Sequence, residues 1–102
     1  MNINPRMMQE LQKAQKEMTR KLDEFDQKEF EYSYKNDSIV VIISGAGTIS
    51  SIKINPVLID PEDITTLEEM LTEATNAAID GVKADRDAIE KSVMPKGMPG
   101  MF

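Results

Sequence analysis

The stretch that decides the fold is IVVIISGAGTISSIKI, residues 39–54. Its first five residues, 39–43, form an unbroken β-branched run, which is typical of a strand buried on both faces. Residues 44–47 predict a tight turn, because glycine permits the backbone angles that turns require. Ile52 and Ile54 then alternate with polar residues, but Ile49 breaks the strict alternation, so we expect a β-bulge or a late strand start there. The stretch therefore predicts two antiparallel strands joined by a short turn.

A third strand is predicted immediately upstream. Its aromatic residues alternate with polar ones, at the period of a half-buried strand: Phe30, Tyr32 and Tyr34. Residues 36–38, Asn-Asp-Ser, are a turn signal between this strand and the next. Because short connections favour pairing of neighbouring strands, the three strands are predicted to form an antiparallel meander.

A long helix is predicted before the sheet. Asn4 is suited to cap the free backbone amides at its start, and Pro5 suits the first helical position. Apolar positions recur at steps of three and four, with one polar interruption, at Met8, Leu11, Gln15, Met18, Leu22 and Phe25. Such a stripe on a helix is consistent with two arrangements, which are packing on its own domain and contact with a second subunit.

A second long helix is predicted after the sheet. Asn55-Pro56 ends the third strand, and residues 57–59 are expected to form one short turn. Asp60-Pro61 predicts the helix start, and two capping boxes a few residues later are alternatives, Thr65 with Glu68 and Thr66 with Glu69. Gly81 interrupts the apolar stripe of this helix, which resumes after it, so that glycine is expected to be a mild bend or a close-packing position. The residues of the stripe are Ile64, Leu67, Leu71, Ala74, Ala78, Val82 and Ile89.

The chain is predicted to hold one α+β domain, residues 1–93, with the order α-β-β-β-α. Residues 94–102, MPKGMPGMF, contain two Pro and two Gly and are predicted to form a flexible tail. Only two helices are available to cover the two faces of the small sheet. An edge strand and a strip of helix are therefore left for a partner.

The composition excludes several classes of function. The 102 residues include no Cys and no His, which removes disulfides, thiol and imidazole catalysis and nearly all zinc sites. Carboxylates spread around the second helix without metal-site spacing, and residues 45–47 lack the lysine and following helix of a phosphate-binding loop. We therefore predict no cofactor, metal, small-molecule substrate or enzyme activity. No apolar run approaches the roughly 20 residues of a membrane span, so the cytoplasm is the expected compartment.

Charge is distributed unevenly along the chain. The formal net charge of −6 opposes nucleic-acid binding, but residues 1–22 hold five basic residues and only two acids. Lys13, Lys16 and Arg20 follow i, i+3, i+7 spacing and share one helix face, which is either solvated or holds DNA phosphates. The candidate DNA-binding residues are Arg6, Lys13, Lys16, Arg20 and Lys21, extended by Lys83 and Arg86 if the two helices lie side by side.

Three segments resemble the YbaB/EbfC family of bacterial nucleoid-associated proteins. They are LQKAQKEM at residues 11–18, ISGAG at 43–47 followed by IKINPVLI at 52–59, and the ending MPGMF at 98–102. The length and the order of elements are also similar to those of the family. Asn55 stands where the family usually has Asp, which is expected to change little because both residues cap and turn well.

The resemblance implies a tweezer-like homodimer in which the sheets meet at the centre and the long helices project as arms. It implies binding of double-stranded DNA in the nucleoid, with limited sequence preference, and a part in nucleoid organisation, gene expression or repair. By position, the family's contacts would fall on the helical arms, here on Lys13, Lys16, Arg20 and Lys21.

Two other functions are compatible with parts of the sequence. A non-enzymatic dimeric adaptor would grip a protein partner with its Met-rich stripe, because methionine packs adaptably. A metal-dependent or acid–base enzyme would rest only on the scattered carboxylates. Recovery of a stoichiometric protein after nuclease treatment would favour the adaptor, whereas the enzyme loses its support if no metal is bound.

Overall fold

The computed structural model describes residues 4–93. Its elements follow one another in the order α1 Pro5–Gln27, β1 Glu29–Tyr34, β2 Ile39–Ser44, β3 Ile49–Ile54, a 3-10 turn at Pro56–Leu58, and α2 Ile64–Val93. The predicted α-β-β-β-α order is thereby confirmed. The predicted flexible tail, residues 94–102, lies outside the described residues.

Helix α1 begins where the sequence predicts. The Asn4 side chain accepts a hydrogen bond from the Met7 backbone N–H at 2.7 Å, and Pro5 is the first helical residue. The helix has 23 residues and ends at Gln27, and the next residue, Lys28, is already extended. Because only one residue separates α1 from β1, the end of the helix is tied directly to the sheet.

The three strands pair antiparallel in the order β1-β2-β3, which confirms the meander. The register of β2 on β3 shifts between Ile42, which pairs with Ser51, and Ile43, which pairs with Ile49. Ser50 is therefore an extra residue in β3, and the predicted bulge is confirmed.

One face of the sheet forms the core. Phe25 of α1 and the small apolar residues of α2 pack there against three fully buried residues of β2, Ile39, Val41 and Ile43. Val40 and Ile42 point to the opposite face and are only half-buried. The prediction that β2 is buried on both faces is therefore wrong for the described chain, because the core residues of both helices lie on the same side of the sheet.

Helix α2 starts later than the sequence predicts. The Asp60 carboxylate accepts a hydrogen bond from the Glu62 N–H at 2.9 Å, and the Asp60 carbonyl accepts one from the Asp63 N–H at 3.0 Å, so residues 60–63 form a turn. The Asp63 carboxylate then accepts hydrogen bonds from the Thr66 N–H at 3.3 Å and the Thr66 hydroxyl at 2.7 Å. The helix begins at Ile64 after this Asp63 cap. The start predicted at residue 60 and both predicted capping boxes are wrong, because the side chain of Asp60 stabilises a turn instead.

Gly81 is a close-packing position, as predicted. A Cβ atom on Gly81 would lie only 2.4 Å from ring carbon Cε1 of Tyr32, and the helix continues past it to Val93. Three residues of the predicted α2 stripe are buried, Ala74, Ala78 and Val82. The small residues of this stripe therefore allow α2 to lie close to the sheet.

Candidate nucleic-acid interface

Helix α1 carries five of the seven predicted DNA-binding residues. We call residues 5–21 the arm, and none of them is buried; residues 22–27, which include buried Phe25, are the base. Lys13, Lys16 and Arg20 are exposed and, by their spacing, follow one line along the helix. From Lys13 to Arg20 this line is about 10 Å long at 1.5 Å per residue. It is long enough to meet more than one phosphate of a DNA strand.

Most basic residues of α1 are engaged in exposed ion pairs within the helix. Their N–O distances are 4.0 Å for Arg6 with Glu10, 3.6 Å for Lys21 with Glu17, and 3.1 Å for Arg20 with Glu24. Exposed i,i+4 pairs contribute only about 0.3–0.5 kcal/mol, so an incoming phosphate can replace the carboxylate. Lys13 and Lys16 form no ion pair with any residue in the range 4–93. Their charges are therefore available without such an exchange.

Uncharged polar side chains accompany Lys16 and Arg20 along one open groove of α1. The residues that line it are Gln12, Gln15, Lys16, Thr19, Arg20, Asp23, Glu24 and Gln27. Amide and hydroxyl groups donate hydrogen bonds to phosphate oxygens, whereas carboxylates repel them. The part of the groove suited to phosphate therefore ends near Arg20. Gln12 and Thr19 were not predicted from the sequence, although their spacing of four and three residues from Lys16 was a usable signal. Gln15 was interpreted only as a break in the apolar stripe.

The predicted extension on α2 has a different character. Arg86 is held by Asp26 of the α1 base, with Nε to Oδ1 at 3.2 Å and Nη2 to Oδ2 at 3.4 Å, and its Nη1 lies 3.4 Å from Glu90. The hydrogen bonds to Asp26 raise the pKa of Arg86 above its usual value. Lys83 is exposed on the same helix. The fold thus brings Arg86 next to the base of α1, as the side-by-side arrangement required. Its guanidinium, however, already forms three contacts with carboxylate oxygens of Asp26 and Glu90.

The base of α1 is locked to the sheet by aromatic packing and a close backbone approach. The rings of Phe25 and Phe30 lie 5.0 Å apart between centroids. A Cβ on Gly45 would fall 2.0 Å from the carbonyl oxygen of Phe25, so a larger residue would push the helix end away. The Gly45 N–H also donates to the Lys28 carbonyl at 3.0 Å. The absence of a side chain at Gly45 therefore allows the end of α1 to lie close to the turn after β2.

Two tyrosines of β1 fasten α2 through its acidic residues. Tyr32 donates its hydroxyl to Asp85 at 3.4 Å, and Tyr34 donates to Glu73. Burial, and then the neighbouring Asp85 carboxylate, raise the pKa of Tyr32. The hydrogen bond to Glu73 raises the pKa of Tyr34. These carboxylates therefore have structural partners.

No group of three or more metal-ligating side chains is placed to hold an ion within residues 4–93. The same described range holds no helix that is long and apolar enough to cross a membrane. The distinctive feature of the described residues is the exposed basic face formed by Lys13, Lys16 and Arg20. It lies on the arm, in which no residue is buried.

The whole chain matches a known family. The model of the YbaB/EbfC DNA-binding family covers residues 1–98. The chain belongs to this family. Membership in this DNA-binding family supports DNA as the class of partner of the protein.

Curated relatives extend the match. An uncharacterized protein of Mycoplasma pneumoniae is 52% identical, over 90% of this chain and 91% of its own length. A nucleoid-associated protein of Malacoplasma penetrans is 43% identical, over 88% of this chain and 95% of its own. A nucleoid-associated protein of Clostridium kluyveri is 37% identical, over 99% of this chain and 89% of its own. The resemblance drawn from the three sequence segments is thus confirmed over nearly the full length.

Proposed function

We propose that the protein binds double-stranded DNA as a homodimer in the cytoplasmic nucleoid, mainly through phosphate contacts and with limited sequence preference. On this proposal it contributes to nucleoid organisation, gene expression or repair and performs no catalysis. The observation that carries the proposal is the exposed line formed by Lys13, Lys16 and Arg20 on the unburied arm. Relatives named nucleoid-associated proteins support the compartment.

A second copy is needed to make the basic face effective. One arm offers few phosphate contacts, and the net charge of −6 acts against them. Two arms double the contacts, and each phosphate neutralised strengthens binding and steepens its salt dependence. Half-buried Val40 and Ile42 on the sheet face opposite the core provide apolar surface for contact between copies. We propose this face, with its flanking residues, as part of the dimer contact.

The test is fluorescence anisotropy of a labelled random duplex, titrated with protein across a salt series. With Lys13, Lys16, Arg20 and Lys21 from both arms, the slope of log K against log salt is expected to reach about −7, since each phosphate contributes about 0.9. Failure to bind even at low salt would refute the proposal. A competing duplex of unrelated sequence should displace the probe with similar affinity.

A matched pair of variants locates the contacts. Lys13→Gln/Lys16→Gln removes two arm charges per protomer and should weaken binding by more than tenfold, with a slope smaller by about 3 to 4. Lys28→Gln/Lys35→Gln makes the same charge change at exposed positions outside the arm and should change affinity by less than threefold. Equal losses in the two variants would show that only overall charge matters.

The adaptor remains as a second candidate, because two large apolar side chains are exposed on the arm. Met7 and Met8 retain 51% and 49% of their accessible surface, and methionine surfaces adapt to varied protein partners. On this hypothesis a Met7→Ala/Met8→Ala variant loses a protein that wild type retains after nuclease treatment. The same variant should bind duplex DNA like wild type if DNA is the partner.

A further inference from the structure

Within the part of the chain that the structure describes, a single ion pair joins α1 to another element. Among residues 4–93 there are five ion pairs, and four of them link residues four apart within one helix. The pair between Asp26 of α1 and Arg86 of α2 alone connects two elements. Its side chains are partly shielded, with 28% and 39% of their surfaces exposed. Both oxygens of Asp26 are engaged, by Nε and Nη2 of Arg86.

We propose that Asp26 and Arg86 form a brace that fixes the direction of the α1 arm. Arg86 is then a positioning residue for DNA binding and not a phosphate contact. This inference rests on the proposed function, because it assigns DNA recognition to the arm. It changes the role that the sequence suggested for Arg86.

A small change of angle at the Asp26–Arg86 pair would move the basic face of the arm by a large distance. Asp26 directly follows Phe25, the residue of α1 that is buried in the core, so the pair acts at the point where the helix leaves the body. Lys13 lies 13 residues further out, about 20 Å along the helix. A tilt of about 10° at the base would therefore move Lys13 by about 3.5 Å, as much as the rise between successive phosphates along one strand.

The bidentate geometry of the ion pair suits a role in fixing the direction of the arm. Two parallel N–H···O contacts fix the plane of the guanidinium relative to the carboxylate, which one contact would not do. Phe25 packs in the core and holds the helix end in place. The Asp26–Arg86 pair restrains the helix end from the side of α2, because it joins two elements that lie 60 positions apart in sequence.

The surroundings of Arg86 disfavour direct contact with phosphate. Asp26 and Glu90 both contact its guanidinium, and the charge of Asp87 also acts on it. Three carboxylates thus accompany one positive charge. A phosphate brought to this place would meet net repulsion and would have to displace hydrogen bonds that already use three guanidinium nitrogens.

Asp26→Asn separates the two roles because they predict effects of opposite sign. If Arg86 contacts phosphate, removing its carboxylate partner frees the guanidinium and strengthens duplex binding. If the pair is a brace, Asp26→Asn should weaken binding by about three- to tenfold, since a less organised arm loses more freedom on binding. Arg86→Gln should weaken it similarly with an unchanged salt slope, because no phosphate contact is lost.

Two further variants complete the set. Asp26→Asn/Arg86→Gln should be no weaker than either single change, because both remove the same interaction. Glu90→Gln is the matched control, since it takes one acid from Arg86 but leaves the link between helices; its affinity should stay within twofold of wild type or be slightly tighter.

Arm direction is measured without DNA. The chain has no Cys, so Gln9→Cys and Asn76→Cys, both at exposed positions, place spin labels on the arm and on α2. Diluting labelled with unlabelled protein isolates distances within one protomer. Pulsed electron paramagnetic resonance should give a narrow distance distribution in wild type and in Glu90→Gln, and a broader or shifted one in Asp26→Asn and Arg86→Gln.

The outcomes separate this inference from the proposed function. If wild type fails to bind duplex, the proposed function fails, and the brace is still judged by the distance distributions. If wild type binds, then unchanged distributions, or unchanged or tighter binding by Asp26→Asn, overturn the brace. Broadening together with weaker binding and an unchanged slope in Arg86→Gln supports it.

Discussion

The arm and the base of α1 share one amphipathic pattern but have different surroundings. Phe25 in the base is 8% exposed, whereas Met7 and Met8 in the arm are 51% and 49% exposed. Met18 and Leu22 lie between these extremes and are half-buried. Packing on its own domain therefore accounts for only part of the apolar stripe. The domain covers the base and leaves the arm exposed, so the structure is compatible with both arrangements considered from the sequence.

Charge follows the same division. Lys13 and Lys16 lie in the arm, whereas Asp23, Glu24 and Asp26 belong to the base. The acidic end is the one that contacts Arg86 of α2. The comparison teaches that one acid of the base, Asp26, serves the attachment of the helix, while Lys13 and Lys16 of the arm form no ion pair within residues 4–93 and are open to an anionic ligand.

The largest expected effect comes from deleting the anchor of the base. Phe25→Ala should lower the free energy of unfolding by about 3 kcal/mol, because it removes a buried ring and leaves a cavity. Met8→Ala, the matched change in the arm, should stay within about 0.5 kcal/mol. Urea denaturation followed by circular dichroism measures both. A cost for Met8→Ala that shrinks on dilution of the protein would place that residue in a dimer contact.

A smaller loss is expected from crowding the same anchor. Gly45→Ala places a Cβ 2.0 Å from the Phe25 carbonyl oxygen, and the resulting overpacking should cost about 2 kcal/mol. Gly47→Ala is the control, because its φ is +92° but its surroundings are open, so only backbone strain of about 1 kcal/mol is expected. If Gly47→Ala proved the more damaging change in thermal or urea unfolding, the close approach of α1 would be unimportant.

A local effect is expected at the far end of the arm. Asn4→Ala removes the hydrogen bond to the Met7 N–H and should destabilise the first turns of α1 by about 1 kcal/mol. Amide hydrogen exchange should detect faster opening in residues 7–12. The midpoint of global unfolding should not move, since none of the arm residues is buried. A clear shift of that midpoint would mean that the arm folds as part of the core.

The smallest effect concerns the attachment of α2. In the folded state the pKa of Tyr32 is raised, so folding favours the neutral phenol. The stability gained this way is fully present below the ordinary tyrosine pKa of about 10 and is lost as the pH rises through the folded-state value. Tyr32→Phe should cost about 0.5 kcal/mol at pH 8.

The gap between wild type and Tyr32→Phe should shrink by pH 11. Urea unfolding at the two pH values measures it. Tyr34 is present in both proteins, so its titration cancels from the comparison. A gap of constant size would show that the hydrogen bond to Asp85 does not depend on the phenol proton.

The sequence by itself determined the order of elements, the start of α1 at Asn4-Pro5, the bulge in β3 and the family. These features depend on residues close together in the chain, namely caps, turn residues and the period of apolar side chains. It also determined which residues carry the positive charge of the arm. The sequence did not predict the start of α2 correctly, because Asp60 and Asp63 are both good caps. Asp60 forms a turn by accepting from the Glu62 amide, and Asp63 caps the helix by accepting from the Thr66 amide.

Only the tertiary structure decided which parts of these elements are covered. Val40 and Ile42 have the same β-branched character as their buried neighbours, yet both helices pack on the other face. Arg86 looked like a continuation of the basic face, but its partner Asp26 lies 60 residues away in sequence. Burial and ion pairing depend on which surfaces the chain brings together, and local sequence patterns do not contain that information.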